Sequence, residues 1–454
     1  MDEKTSSNPE QMAADQAEKP GVVVETAASV PEIAQVGEGP GAKAAAGGGM
    51  QQVNTTKIEC SRGLADWLIM NNVSLAFTSY QTGQLFLVGV MPDRRISIHQ
   101  RNFVRAMGVI AQPQRVYVAG LEAVWRLENI LRPTEVANRF FDRLFVPRNA
   151  QITGDLDVHE MGIDRAGRVI FVNTKYSCLA TFNVTHSFRP VWKPKFISKV
   201  APEDRCHLNG MAMMDGRPKY VTAVSQSDLI NGWREKRELG GVIIDVETDR
   251  VVTDELSMPH SPRVASDGSL WVLDSGRGYI VRVDAKTGKR ENVCFCPGFL
   301  RGMTIWNGHA VATVSLPRDG TFKNLELETN VSARGGVPWC GIQIVDLRAG
   351  GIVEWIRLEG FIKELFDVGV IPNSRCPMAL GVGTPEVQHT ISFVPEFAPL
   401  SLDAGAPIRT DDGTLLAQRT QSKPAEQKQP VGETAKEPVK ESVKEPAKET
   451  VDSN

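Results

Sequence analysis

Three of the seven histidines stand just ahead of small apolar runs: His159 in "DVHEMGID", His207 in "RCHLNGMAMM" and His260 in "MPHSPRVA". Imidazoles at matched places can act as general bases or as metal ligands. Oxygen donors accompany them, namely Asp155, Glu160, Asn209 and, later, Asp367. Glu160, Asn209 and Asp367 form a candidate metal set for a divalent cation such as calcium, which would polarise an ester or lactone carbonyl. Arg263 and Arg301 suggest different chemistry, because paired guanidinium forks suit carboxylate, sulfate or phosphate. Two arginines beside a cation would weaken its site electrostatically. In a third reading the polar groups satisfy one another and ordered water around a narrow channel. The sequence leaves all three open. It singles out no catalytic residue: Ser261 lacks the glycine framework of a nucleophile elbow, and there is no P-loop or dinucleotide fingerprint.

The totals narrow the partners. Of 454 residues 41% are apolar and 23% charged, and the net charge is −3. Nothing there points to nucleic acid or an anionic membrane, and no apolar run approaches the ~20 residues that cross a bilayer. The start, "MDEKTSSNPEQ", lacks the basic and apolar regions of a secretory signal. The seven cysteines are scattered and odd in number. Reduced thiols and a cytoplasmic location are expected. Cys294 and Cys296, two apart, read as core packing, since no second cysteine pair exists to complete a metal site.

Composition divides the chain. Residues 1–56, rich in Ala, Gly, Glu and Gln, predict a disordered segment. Residues 401–454 predict a second one, ending in the KEPV, KESV, KEPA, KETV repeat, whose prolines break any helix. That tail could serve as a spacer or as a docking arm for a protein partner. Between them, 57–400 reads as an all-β domain with one short helix in "CSRGLADWLIMNN".

Elements able to bring remote polar residues together emerge from an internal repeat. Residues 261–299 divide into four strands with Asp-Gly and Thr-Gly turns, and the cadence recurs from Arg105, His159, Asn209 and Arg301. Aligned first strands place Gly108, Gly162, Gly210, Val264, Gly302 and Gly369 in register. Four strands per unit predict propeller blades, and glycine suits the crowded inner strand. After "LFDVGVIPN" the expected second, third and fourth strands are missing; they occur instead at the other end, as "SLAFTSYQTG", "QLFLVGV" and "RISIHQRNF". A six-bladed β-propeller closed by a composite blade from both ends of the domain follows. A β-sandwich would leave the cadence unexplained.

In such a ring the loop entering each first strand and the loop between second and third strands open on one face. The polar clusters hold the first position; two insertions, 225–240 and 316–340, hold the second. Long loops on a rigid scaffold shape binding sites, so an axial pit is expected there. Trp233 lies in one insertion among Arg234, Lys236 and Arg237; it either packs down on the ring or stacks on a ligand. Asp274 either caps a turn or joins the pit.

The strings "GDLDVHEMGID", "APEDRCHLNGMA", "MPHSPR", "GSLWVLDSG" and "PGFLRGMTI" resemble an uncharacterised bacterial family of conserved hypothetical proteins, a domain of unknown function sometimes fused to tetratricopeptide repeats. The likeness spans about Leu64 to Val382 and implies membership, not an activity. "HLNGMAM" and "GSLWVLDSG" are more loosely similar to six-bladed gluconolactonase, strictosidine-synthase and NHL-type propellers. The gluconolactonase likeness implies a metal site to which Glu160 and Asn209 correspond, but Arg263 or Arg301 stands where a later Asp would be. The expected function is binding of a small polar ligand, anionic or carbohydrate-related, in the pit. The alternatives are a metal-dependent hydrolase and a protein-interaction scaffold.

Overall fold

The computed structural model describes residues 55–394 except 319 and 323, with the backbone of 22–25, 408–409 and 415–417. Short runs of β-branched and aromatic residues between turns favour strands. Six four-stranded units result. From the innermost strand outward, blade I is Val368–Pro372, Val73–Ser79, Gln84–Val90 and Ile96–Asn102. Blade II is Val109–Ala111, Arg115–Ala119, Ala123–Asn129 and Arg143–Ile152. Blade III is Val158–Ile163, Val169–Asn173, Cys178–Thr181 and Arg189–Trp192. Blade IV is Leu208–Met214, Arg217–Ala223, Gly241–Asp245 and Val251–Leu256. Blade V is Pro259–Val264, Leu270–Asp274, Tyr279–Val283 and Arg290–Phe295. Blade VI is Phe299–Trp306, His309–Ser315, Cys340–Asp346 and Gly351–Gly360.

Each inner strand touches the next, including VI with I and I with II, so the ring closes. Blade I is the expected composite: Gly369 pairs with Ala76 and Val370 with Leu75, joining the two ends of the domain. Apolar cores lie between blades. Ile170 and Val172 of blade III pack with Val221 and Ile244 of blade IV; Leu273 of blade V packs with Leu300 and Ala312 of blade VI.

Two additions were not legible in the cadence. Thr56–Cys60 pairs as a fifth strand on blade VI, and Pro377–Ala379 runs parallel to Arg143–Phe145 on blade II. Both cover an outer edge that would otherwise offer unpaired backbone groups. Within the stretch expected to lack structure, Val22–Glu25 pairs with Lys57–Cys60; the rest of 1–54 lies outside the described residues. So does most of 401–454, where Ile408–Arg409 pairs with Leu415–Ala417. The expected short helix is Leu64–Asn71, which buries Leu64, Trp67 and Leu68. No helix among the described residues is long and apolar enough to cross a membrane. All seven cysteines are free and buried.

Inner-strand glycines have a steric cause. A Cβ on Gly302 would lie 2.5 Å from Asp367 Cα and 2.6 Å from the Phe366 carbonyl oxygen, both in blade I. On Gly210 it would meet Pro262 Cδ of blade V at 2.5 Å. Gly302→Ala must therefore move backbone, and overpacking of this kind costs about 1–3 kcal/mol. Urea denaturation should register that loss; an unchanged midpoint would remove the crowding argument.

Candidate functional site

Where first strands begin and second strands end, a cavity of about 570 Å³ opens. Strand entrances supply His159, His207, His260 and Arg301, and the two insertions supply Trp233 and Arg318 among others. The polar clusters and the insertions thus share one face.

The imidazoles are held alike. His159 Nδ1 lies 3.0 Å from the Asp157 carbonyl and 2.8 Å from Thr174 Oγ1, whose own proton goes to the Leu208 carbonyl at 2.7 Å. His260 Nδ1 lies 2.7 Å from the Met258 carbonyl. Carbonyl acceptors require the proton on Nδ1. His207 Nδ1 sits 3.0 and 3.2 Å from the two Asp204 carboxylate oxygens. All three rings line the cavity. Burial lowers the His159 pKa and pulls that of His260 well below the ordinary histidine value, with the Arg301 charge adding to the latter. Both rings are neutral acceptors at pH 7.

Among the described residues, Arg301 and Arg318 share one acid. Arg301 Nη2 is 3.1 Å from Glu364 Oε2, and Arg318 Nε is 2.9 Å from the same oxygen. The Tyr80 hydroxyl donates to Glu364 and accepts from Arg318. One carboxylate therefore serves two guanidinium groups. Among the described residues Arg301 Nε is buried without a partner, and burial lowers the Arg301 pKa. Its guanidinium lies 5.0, 5.1 and 5.9 Å from the ring centres of Tyr80, Phe299 and Phe366, within cation–π range. From Phe366, ring contacts continue to His159 at 5.1 Å, from His159 to His207 at 5.1 Å, and from His207 to Trp233 at 4.2 Å. Trp233 is packed down, 6% exposed, with Nε1 2.8 Å from Asp204.

Glu160, Arg263, Asp367 and Asn209 do not line this cavity; they lie further along the inner strands. Arg263 Nη1 and Nη2 reach the two Glu160 oxygens at 3.0 and 3.1 Å. Glu160 also accepts from the Met211 N–H at 2.7 Å and from the Ser261 hydroxyl. Ser261 in turn contacts the Arg301 carbonyl at 2.9 Å and the Met303 N–H at 3.2 Å. Asp367 accepts the Val109 N–H at 2.9 Å and the Val368 N–H at 2.8 Å. Inner strands of all six blades meet in this axial layer. Burial and the nearby Glu160 charge raise the Asp367 pKa to about 7.

The metal set does not fit this geometry. Arg263 covers both Glu160 oxygens, and Asn209 Oδ1 accepts from Thr222 at 2.7 Å. Among the described residues no three His, Cys, Asp or Glu side chains are grouped to hold a metal ion. Asp155 is not among the lining residues; it lies 3.1 Å from Lys175 and 3.2 Å from Arg105. Asp274 is outside the described lining; its carboxylate accepts the Ser257 N–H of the preceding loop at 2.7 Å and pairs with Arg277 at 2.8 Å.

Sequence reasoning missed Tyr80, Arg105, Asp157, Asp204, Arg318 and Phe366 in the lining. Their positions carried a signal: each lies just before a first strand or beyond the end of a second. Arg105, Asp157, Asp204, His207 and Met258 all have φ between 41° and 55°. Non-glycine residues held in the left-handed region often mark functional sites.

Six closed blades and an axial cavity on the insertion-bearing face define a six-bladed β-propeller with a central pit. The chain belongs to the family described as a domain of unknown function (DUF4915), whose model matches residues 62–380. A search of curated proteins finds no match. Among solved structures, the crystal structure of a nidogen/laminin complex is similar, at 12% identity and a TM-score of 0.43, covering 66% of this chain and 99% of that chain.

Proposed function

We propose that the pit binds a small polar anion, with a carboxylate, sulfate or phosphate against Arg301 and Arg318 and the rest of the ligand, sugar-like or otherwise, reaching toward the histidines. The observation that carries this reading is the shared Glu364: among the described residues, two guanidinium groups meet one carboxylate, and Arg301 Nε has no partner. An incoming anion would supply the missing acceptor in a site where its charge is poorly screened. Metal-assisted hydrolysis is disfavoured because its carboxylate is already held by Arg263.

Thermal stability in sulfate, phosphate, citrate and sugar phosphates, at matched ionic strength, tests this. At 100 times Kd the gain is about 2.7 kcal/mol. Arg301→Ala should abolish the gain and Arg318→Ala should reduce it. Stabilisation of the Arg301→Ala protein equal to that of the native protein would refute the assignment.

A further inference from the structure

The cavity holds a base as well as a clamp. Asp204 grips His207 Nδ1 with both carboxylate oxygens and takes the Trp233 Nε1–H at 2.8 Å, so the carboxylate is itself oriented. Trp233 lies against the imidazole, with an interplanar angle of 28° and ring centres 4.2 Å apart, which restrains its rotation. Both Asp204 and His207 adopt left-handed backbone conformations, φ 41° and 48°, which non-glycine residues keep only where the surroundings hold them. Nε2 is the nitrogen left to take a proton, on a ring that lines the same cavity as Arg301.

Among the described residues no serine or cysteine lines the cavity, and the hydroxyls on its wall are those of Tyr80 and Thr321. An oriented imidazole in a cavity that also holds a pair of guanidinium groups suits proton abstraction. We propose that His207 is the general base, with Asp204 as its positioning residue, of an enzyme acting on carbon acids: small carboxylate or phosphate anions whose C–H is activated by a neighbouring carbonyl. This rests on the anion-binding reading above.

In the step, the C–H bond breaks and its proton passes to His207 Nε2. The electron pair moves into the adjacent carbonyl to give an enolate oxygen, stabilised by Arg301. The imidazolium keeps its Nδ1–H on Asp204. Return of the proton to carbon, or of a deuteron after exchange with solvent, restores the base. No further reactant is needed.

The experiment is hydrogen exchange in D₂O, followed by ¹H NMR, with pyruvate, 2-oxoglutarate, oxaloacetate and dihydroxyacetone phosphate as probes. Protein-dependent loss of a C–H signal is expected for at least one probe. His207→Gln should slow it by about 10²–10⁴-fold, while thermal stabilisation by the same probe persists and shows the pit intact. Asp204→Asn should lower kcat for exchange with little change in KM, and Asp204→Glu should recover part of the rate. Probes that bind through Arg301 without exchanging, that exchange equally with His207→Gln, or that are hydrolysed or cleaved instead, overturn the proposal and leave the binding reading standing. Probes that neither stabilise the protein nor exchange defeat both readings.

Discussion

Replacement of Arg263 by methionine is expected to cost the propeller about 3–5 kcal/mol, because it strands a buried carboxylate. Glu160 is 4% exposed, and Arg263 meets both of its oxygens. Asp367, 3% exposed, adds a second acid nearby and shares the same cation electrostatically. Removing the cation leaves two acids facing one another in low dielectric. At about 2 °C per kcal/mol for a domain of this size, the melting temperature should fall by roughly 6–10 °C. Adding Glu160→Gln to Arg263→Met should recover much of the loss, since the glutamine Oε1 can accept the Met211 N–H while its NH2 group donates to the Ser261 hydroxyl oxygen. A double variant no more stable than the single one would mean that the ion pair does not hold the axis together. Chemical denaturation of the four proteins in the cycle makes the comparison quantitative.

Asp367 leads to the second large effect, in the pH dependence of stability. In the fold its carboxyl titrates near pH 7, against 3.8 for an ordinary aspartate, because burial and then the Glu160 charge favour the neutral acid. The folded state therefore binds more protons than the unfolded state between those values, and stability falls as pH rises through the window. Roughly three pH units at about 1.4 kcal/mol each make this on the order of 4 kcal/mol. Asp367→Asn cannot lose the proton, so the stability of the native protein relative to that variant should decline from pH 4 to pH 7 and level off above. His159 and His260 contribute the opposite slope: their folded pKa values are depressed, so stability falls as pH drops below the unfolded histidine value of about 6.5. Because both proteins keep these histidines, their contribution cancels in the difference. A difference independent of pH would show Asp367 to be an ordinary carboxylate.

The cadence of strands and turns was enough to draw the ring. Gly302 and Gly210 appeared in register because neighbouring blades leave no room for a Cβ. The split blade was legible because a first strand at one end lacked successors that stood at the other. The shared face followed as well: His159, His260 and Arg301 lie in the opening residues of first strands and His207 just ahead of one, and all four line the cavity. The depth of the remaining residues did not follow. Asn209 and Arg263 lie two and three residues beyond His207 and His260, and Glu160 immediately follows His159. Those few steps along an inner strand carry them from the pit into the axial layer.

By itself, then, the sequence determined the number of blades, the clasp, the face and the kinds of polar residue at the axis, because strand alternation, turn residues and blade length are local properties. Only the tertiary structure decided who meets whom. Glu160 meets Arg263, 103 positions away and two blades on, rather than a cation. Arg301 and Arg318 converge on one Glu364, and Trp233 folds down onto His207 and Asp204. The physical reason is that partner choice depends on distances across the ring. Those distances come from how six sheets pack around an axis, and no periodicity within one blade encodes them.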